Sequence, residues 1–226
     1  MIKPFYELKL YTVFDHIYLF FISSLLFIIV NIPFIMFLYM NYVTGSFLLG
    51  VYVSAILIGP ALLAVISVMV NAVVNGEFHK VAGKFFKSYK ENFFEGIYYF
   101  AVVAVIMYML NFDRLNIARL IGYNIKAVSI IFLIAEVIVI FFSIMLFLVV
   151  SRFYIKAKQA IKLSIFYSVK NFKNIMLSSA LVIVLGYIVT YVNAFFIILS
   201  TGAVYAVVFL LKNSLIEIEE KYYKNK

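Results

Sequence analysis

The chain has 226 residues, of which 66% are hydrophobic and only 13% charged, and its mean hydropathy is +1.10. A soluble domain carries about 25% charged residues, so this composition excludes a water-soluble globule. The formal charge of +9 comes from lysines flanking long apolar runs, the pattern of cytoplasmic loops, and not from the soluble basic face that a nucleic-acid binder needs. Cysteine is absent, which excludes disulfides, thiolate nucleophiles, iron–sulfur clusters and zinc–thiolate sites. Tryptophan is absent as well, leaving anchoring at the membrane interface to the 18 tyrosines.

In chain order, residues 1–15 form a short amphipathic lead. The first apolar run, residues 17–40, is too long for a signal-peptide core and is read as a retained span. Pro33 in its outer half removes a backbone donor and predicts a kink or an end there. Span 2, residues 47–74, is over-long and interrupted by Gly59-Pro60, which predicts a kinked or two-piece helix. Residues 76–96, GEFHKVAGKFFKSYKENFFEG, then read as a basic amphipathic helix. Phe78, Val81, Ala82, Phe85, Tyr89 and Phe93 lie on one face, and Lys80, Lys84, Lys87, Glu91 and Glu95 on the other.

Span 3 covers residues 97–112, a polar connection residues 113–126, and span 4 residues 127–150. A second basic segment, residues 151–174, carries Arg152, Lys156, Lys158, Lys162, Lys170 and Lys173. Residues 175–211 are too long for one helix at 1.5 Å per residue and are divided into spans 5 (175–192) and 6 (194–211). A charged tail, residues 212–226, follows. The fold class is therefore all-α: one transmembrane helix bundle of about six spans with two cytoplasmic amphipathic surface helices.

Six spans put both termini on one side. Sixteen of the nineteen basic residues then share that side, and only Arg114, Arg119 and Lys126 lie on the other. The positive-inside bias assigns the rich side to the cytoplasm. The two basic segments also share a pattern, FKSYKENF at residues 86–93 and FYSVKNF at residues 166–172. Tandem duplication and convergence on one amphipathic solution both account for it.

The stretch IGPALLAVISVMVNAVVNGEFHKVAGKFFKSYKENFFEG, residues 58–96, resembles the signature region of the YesL-like family of bacterial membrane proteins. A Gly-Pro-Ala helix start leads there to Gly-Glu and then to a Phe-rich basic segment. Asn31-Ile32-Pro33, Arg152-Phe153 and Glu220-Lys221-Tyr222 also fit, while the stretch from Pro33 to Gly59 is longer than the family pattern. The resemblance implies a six-helix protein of the bacterial cytoplasmic membrane, encoded near carbohydrate ABC importers and polysaccharide-degrading enzymes. It supplies no catalytic residues.

Glu136 is the sharpest candidate. It sits near the middle of span 4, with Ser129 and Ser143 seven residues either side on the same helical face. An intramembrane acid is functional or paired, and burial predicts a neutral, hydrogen-bonded carboxyl. The structural alternative is interhelical hydrogen bonding of about 0.6 kcal/mol. Asn31 with Ser24, Asn193 with Gly186 and Ser179, and Ser67 with Asn71 and Asn75 extend polar stripes toward a shared interior, where they line a small cavity or satisfy one another. Gly50-x-x-x-Ser54 and Gly202-x-x-x-Ala206 suit close helix packing.

His16 and His79 lack partners at metal-ligand spacing. No P-loop, no Ser/His/Asp constellation and no H-E-x-x-H occurs, so neither catalysis nor a cofactor is expected. Lys80, Lys84, Phe85, Lys87, Lys90, Arg152, Lys156 and Lys170 are the candidate docking residues. Their expected partners are anionic lipid headgroups and, by the resemblance, subunits of a sugar ABC importer, with a homo-oligomer as a further candidate.

Overall fold

The computed structural model describes residues 9–46, 48–120, 125–153, 155–189 and 196–222, which form helices and turns with no strand. The helices are α1 (Lys9–Val30), α2 (Ile32–Thr44), α3 (Leu48–Ala55), α4 (Ile58–Asn75), α5 (Val81–Glu91), α6 (Phe93–Leu120), α7 (Ile125–Arg152), α8 (Ala157–Lys170), α9 (Phe172–Val189) and α10 (Phe196–Tyr222). Five stretches are long and apolar enough to cross a membrane: Val13–Val30, Leu48–Asn75, Phe93–Arg114, Ser129–Arg152 and Ser200–Tyr222. A sixth crossing exists if α8 and α9, bent by 100° where they meet, form one broken span. The protein is a multi-pass membrane protein.

Proline chemistry sets the first two breaks. Pro33, in the first turn of α2, has no N–H for the carbonyl four residues back, and the chain breaks at Asn31 (φ −100°, ψ 11°). The predicted first span of residues 17–40 is therefore two helices. Pro60 acts in the same way on the second span, which turns at Ile56-Leu57 between α3 and α4. The hairpin of α2 and α3 is peripheral: α2 buries no side chain and α3 buries only Ser54.

The centre of the bundle is α4, which packs against α1, α5, α6, α7 and α10 and buries Leu63, Ala64, Val68 and Met69 completely or nearly so. Lipid tails are as apolar as these side chains, so close van der Waals fit has to hold the helices together. The tightest fit lies at Gly59 and Gly96. A Cβ on Gly59 would stand 2.2 Å from the Gly96 carbonyl oxygen, and one on Gly96 would stand 2.6 Å from Pro60 Cα.

Three predicted boundaries move. The connection at 113–126 is helical through Leu120, as the end of α6. The charged tail is helical through Tyr222, because Leu211, Leu215 and Ile218 recur on one face of α10 and are fully buried. The basic segment 76–96 contains a shorter helix, α5, between a left-handed Lys80 (φ 56°) and Asn92. The split expected between spans 5 and 6 lies outside the described residues, as does Asn193.

Both basic helices fold back onto the helix that precedes them, α5 onto α4 and α8 onto α7. Each ends at an asparagine of nearly the same conformation: Asn92 (φ −104°, ψ 21°) and Asn171 (φ −108°, ψ 37°). The asparagine amide donates to the carbonyl four residues back, Ser88 at 3.1 Å and Tyr167 at 3.2 Å. Its own carbonyl accepts from the N–H four residues on, Gly96 at 2.8 Å and Ile175 at 3.1 Å. Counted from these asparagines, Val81, Phe85 and Ser88 occupy the places of Ala160, Ser164 and Tyr167, and all six are buried. The shared Asn-Phe marks true structural equivalence, whereas the F-x-S-x-K letters are out of step by one residue.

Candidate functional site

The basic end of the bundle gathers most of the charge. Glu77, in the turn after α4, meets Lys84 at 2.7 Å, and this contact holds its carboxyl below the ordinary value of 4.5. On α10, Glu217 meets Lys170 at 2.5 Å and Lys221 at 2.6 Å, while Glu219 meets Arg152 at 2.5 Å. Three candidate docking cations, Lys84, Arg152 and Lys170, are thus engaged within the chain. Lys80, Lys87, Lys90 and Lys156 are exposed. Phe85 is not a docking residue: its side chain is 0% exposed in the core, because α5 turns its apolar face inward onto the bundle.

Arg152 and Glu219 also form one wall of a pocket of about 320 Å³ between α4, α7 and α10, lined by Ser67, Val70, Asn71, Asn75, Ser151 and Phe153 as well. Two i, i+4 steps along α4 bring Ser67, Asn71 and Asn75 onto one face. The Asn71 amide donates to the Ser67 carbonyl at 2.9 Å, and the Asn75 amide donates to Asn71 Oδ1 at 3.0 Å. Ser151 donates to the Leu148 carbonyl at 2.9 Å. Arg152 Cζ lies 5.9 Å from the centre of the Phe153 ring.

The residues expected to share an interior site with Asn71 are elsewhere. Glu136, 16 residues before Arg152 on α7, lies about 24 Å from it along the helix axis at 1.5 Å per residue. The partner of Glu136 is a cation rather than the serine hydroxyls: Arg114 Nε stands 3.6 Å from Glu136 Oε1. Arg114 lies in the polar connection expected at residues 113–126, but the continuation of α6 carries it to α7, and its Nη2 donates to Asn111 Oδ1 at 2.6 Å. Ser143 donates instead to the Ile140 carbonyl at 2.9 Å. Ser143 faces an apolar cavity of about 380 Å³ between α4, α7, α9 and α10. Ser129 is half-buried on α7.

Asn31 is buried at the α1–α2 break, its amide bonded to the Phe27 carbonyl at 2.8 Å. Ser24 reaches Thr201 of α10 at 2.8 Å, and His16 reaches the Tyr205 hydroxyl at 3.1 Å among the rings of Phe20 and Phe78. These contacts stitch α1 to α10. The expected polar stripes are thus satisfied largely by their own helices or by one neighbour, and they do not converge with Glu136.

The two small-residue motifs divide. Gly50 packs on the Phe37 ring between α2 and α3, whereas a Cβ on Gly202 would meet nothing within 4 Å. Gly202 lines an open cleft between α9 and α10, so it makes no close crossing. The close crossing at Gly59 and Gly96 was missed, since the two glycines lie on different helices and share no motif. The Arg114–Glu136 pair escaped for a similar reason, its cation being concealed in an apparent loop.

No curated protein and no solved structure matches the chain. Residues 17–114 match the family model described as "Protein of unknown function, DUF624". That region runs from α1 to the ion-paired Arg114, and the chain is similar there to a family without an assigned activity.

Proposed function

We propose that this protein is a non-catalytic accessory or assembly component of a bacterial cytoplasmic membrane, whose basic end holds anionic headgroups and docks a partner membrane subunit. The observation that carries this reading is the set of exposed lysines Lys80, Lys87, Lys90 and Lys156. No in-chain acid pairs with them among the described residues, in contrast to Lys84, Arg152 and Lys170. Unpaired lysines next to apolar spans are attracted to anionic lipid by about 1 kcal/mol each. The positive-inside bias puts them, and both termini, in the cytoplasm. The resemblance to YesL-like proteins makes a carbohydrate ABC importer the first partner to test.

Copurification from native membranes is the direct experiment. Recovery of importer subunits with the wild type, reduced in a Lys80/Lys87/Lys90→Gln variant, is the expected result. Repeated recovery without any importer subunit counts against the proposal. A second reading, a small transporter or channel working through Glu136, is favoured by the Arg114–Glu136 ion pair at 3.6 Å, an intramembrane charge pair of the kind that lines ion paths. Proteoliposome flux that is unchanged in Glu136→Gln would remove Glu136 from that role.

A further inference from the structure

The pocket between α4, α7 and α10 joins residues that the sequence separates into two groups, the amides of α4 and the ion pair of the basic end. We propose that it binds an uncharged, polyhydroxylated small molecule, either a free polyol or the headgroup of a glycosylated lipid. The first reason is electrostatic. Arg152 and Glu219 already neutralise each other at 2.5 Å, with side chains 14% and 37% exposed. An anionic ligand would lie beside the Glu219 carboxylate and a cationic one beside the Arg152 guanidinium, so attraction to one member of the pair is offset by repulsion from the other, and the ligand's own desolvation is left uncompensated. A neutral ligand leaves the pair intact.

The second reason is the hydrogen-bonding capacity left on the walls. A guanidinium carries five N–H donors, and the hydrogen bond to Glu219 is made through Nη2. Glu219, also in the lining, bonds Arg152 through Oε2, and its second carboxylate oxygen adds acceptor capacity. Asn75 gives one N–H to Asn71 and retains its second N–H and its carbonyl. Ser151 has donated its proton and offers lone pairs. Ser67 contributes a further hydroxyl to the lining. Donors and acceptors therefore both line one small space, and a hydroxyl, which donates and accepts through one atom, satisfies both kinds.

The third reason is shape. Val70 and Phe153 add apolar surface to the lining, suited to C–H groups. Its volume of about 320 Å³ falls at the small end of the ~300–1,000 Å³ range of small-molecule sites. This inference is independent of the docking function, since it involves none of the exposed lysines.

The test is isothermal titration of the full chain in detergent with myo-inositol and with sorbitol. It is paired with binding measurements in phosphatidylcholine nanodiscs with and without galactosyl diacylglycerol. Inorganic phosphate serves as the anionic probe and choline as the cationic one. The expected result is saturable binding of an uncharged polyol, weakened about tenfold by Asn75→Leu through loss of wall hydrogen bonds, with no competition from phosphate or choline. Asn75 is exposed, so its replacement should leave the unfolding midpoint in place, and Ser67→Val is a second variant of the same wall. Binding in the free-polyol arm assigns a soluble ligand, and binding confined to glycolipid nanodiscs assigns a lipid headgroup. The proposal is overturned if neither arm binds, if phosphate or choline binds as well as the polyols, or if both variants bind like wild type.

Discussion

A carboxylate inside a bilayer is tolerated when a cation can reach it, and Glu136 has Arg114 at 3.6 Å. The contact is longer than a hydrogen bond, and both facing atoms, Arg114 Nε and Glu136 Oε1, are buried without another partner. Removing one charge should therefore strand the other, while removing both should cost much less. Snorkelling and local water defects relieve part of the full penalty of a stranded intramembrane charge. Arg114→Met and Glu136→Gln are each expected to destabilise by about 2 kcal/mol, and the double variant by less than either single. Reversible unfolding in mixed micelles closes this cycle; strictly additive losses would show that the two residues do not interact.

Among the elements, α4 and α6 depend on the absence of two side chains. Gly59→Ala or Gly96→Ala pushes a methyl group against rigid backbone, at 2.2 Å and 2.6 Å respectively. Backbone cannot swing aside as a side-chain tip does, so overpacking of about 3 kcal/mol is expected for each. Gly202→Ala, which meets open space, should be neutral or slightly stabilising. Thermal unfolding in detergent ranks the three variants, and a Gly59→Ala as stable as wild type would mean that the helices do not cross there. The pairing of α5 with Asn92 and α8 with Asn171 adds a second element-scale rule. Each basic helix is held to the bundle by a buried face and terminated by a side-chain amide, which leaves its lysines on the outside.

At the scale of the molecule, the number of crossings depends on the bend of 100° between α8 and α9. If that pair crosses, the count is even and the basic ends all face one side. The chain has no native cysteine, so single-cysteine labelling reads this without background. Lys87→Cys, Lys158→Cys and Lys221→Cys are expected to react with a membrane-impermeant maleimide from one side, and Asp113→Cys from the other. Labelling of Lys158→Cys and Lys221→Cys from opposite sides would rule out the even count.

Much of this architecture was legible without coordinates. Composition determined the bilayer as solvent, and Pro33 and Gly59-Pro60 determined where long apolar runs break. These are local properties, decided by backbone chemistry and by the free energy of moving a segment out of water. The pattern shared by the two basic segments was visible too, but only the structure showed that its Asn-Phe, and not its F-x-S-x-K, sits at equivalent turns. Partner choice was decided by tertiary structure alone. Arg114 joined Glu136 because α6 continues past its apolar run. Phe85 left the docking set because α5 turns it into the core. Asn71 left the Glu136 group for a pocket with Arg152 and Glu219 because α4, α7 and α10 come together at the basic end. Such contacts depend on helix phase and crossing points, which are set by the fit of whole surfaces against one another and not by the spacing of residues within any one helix.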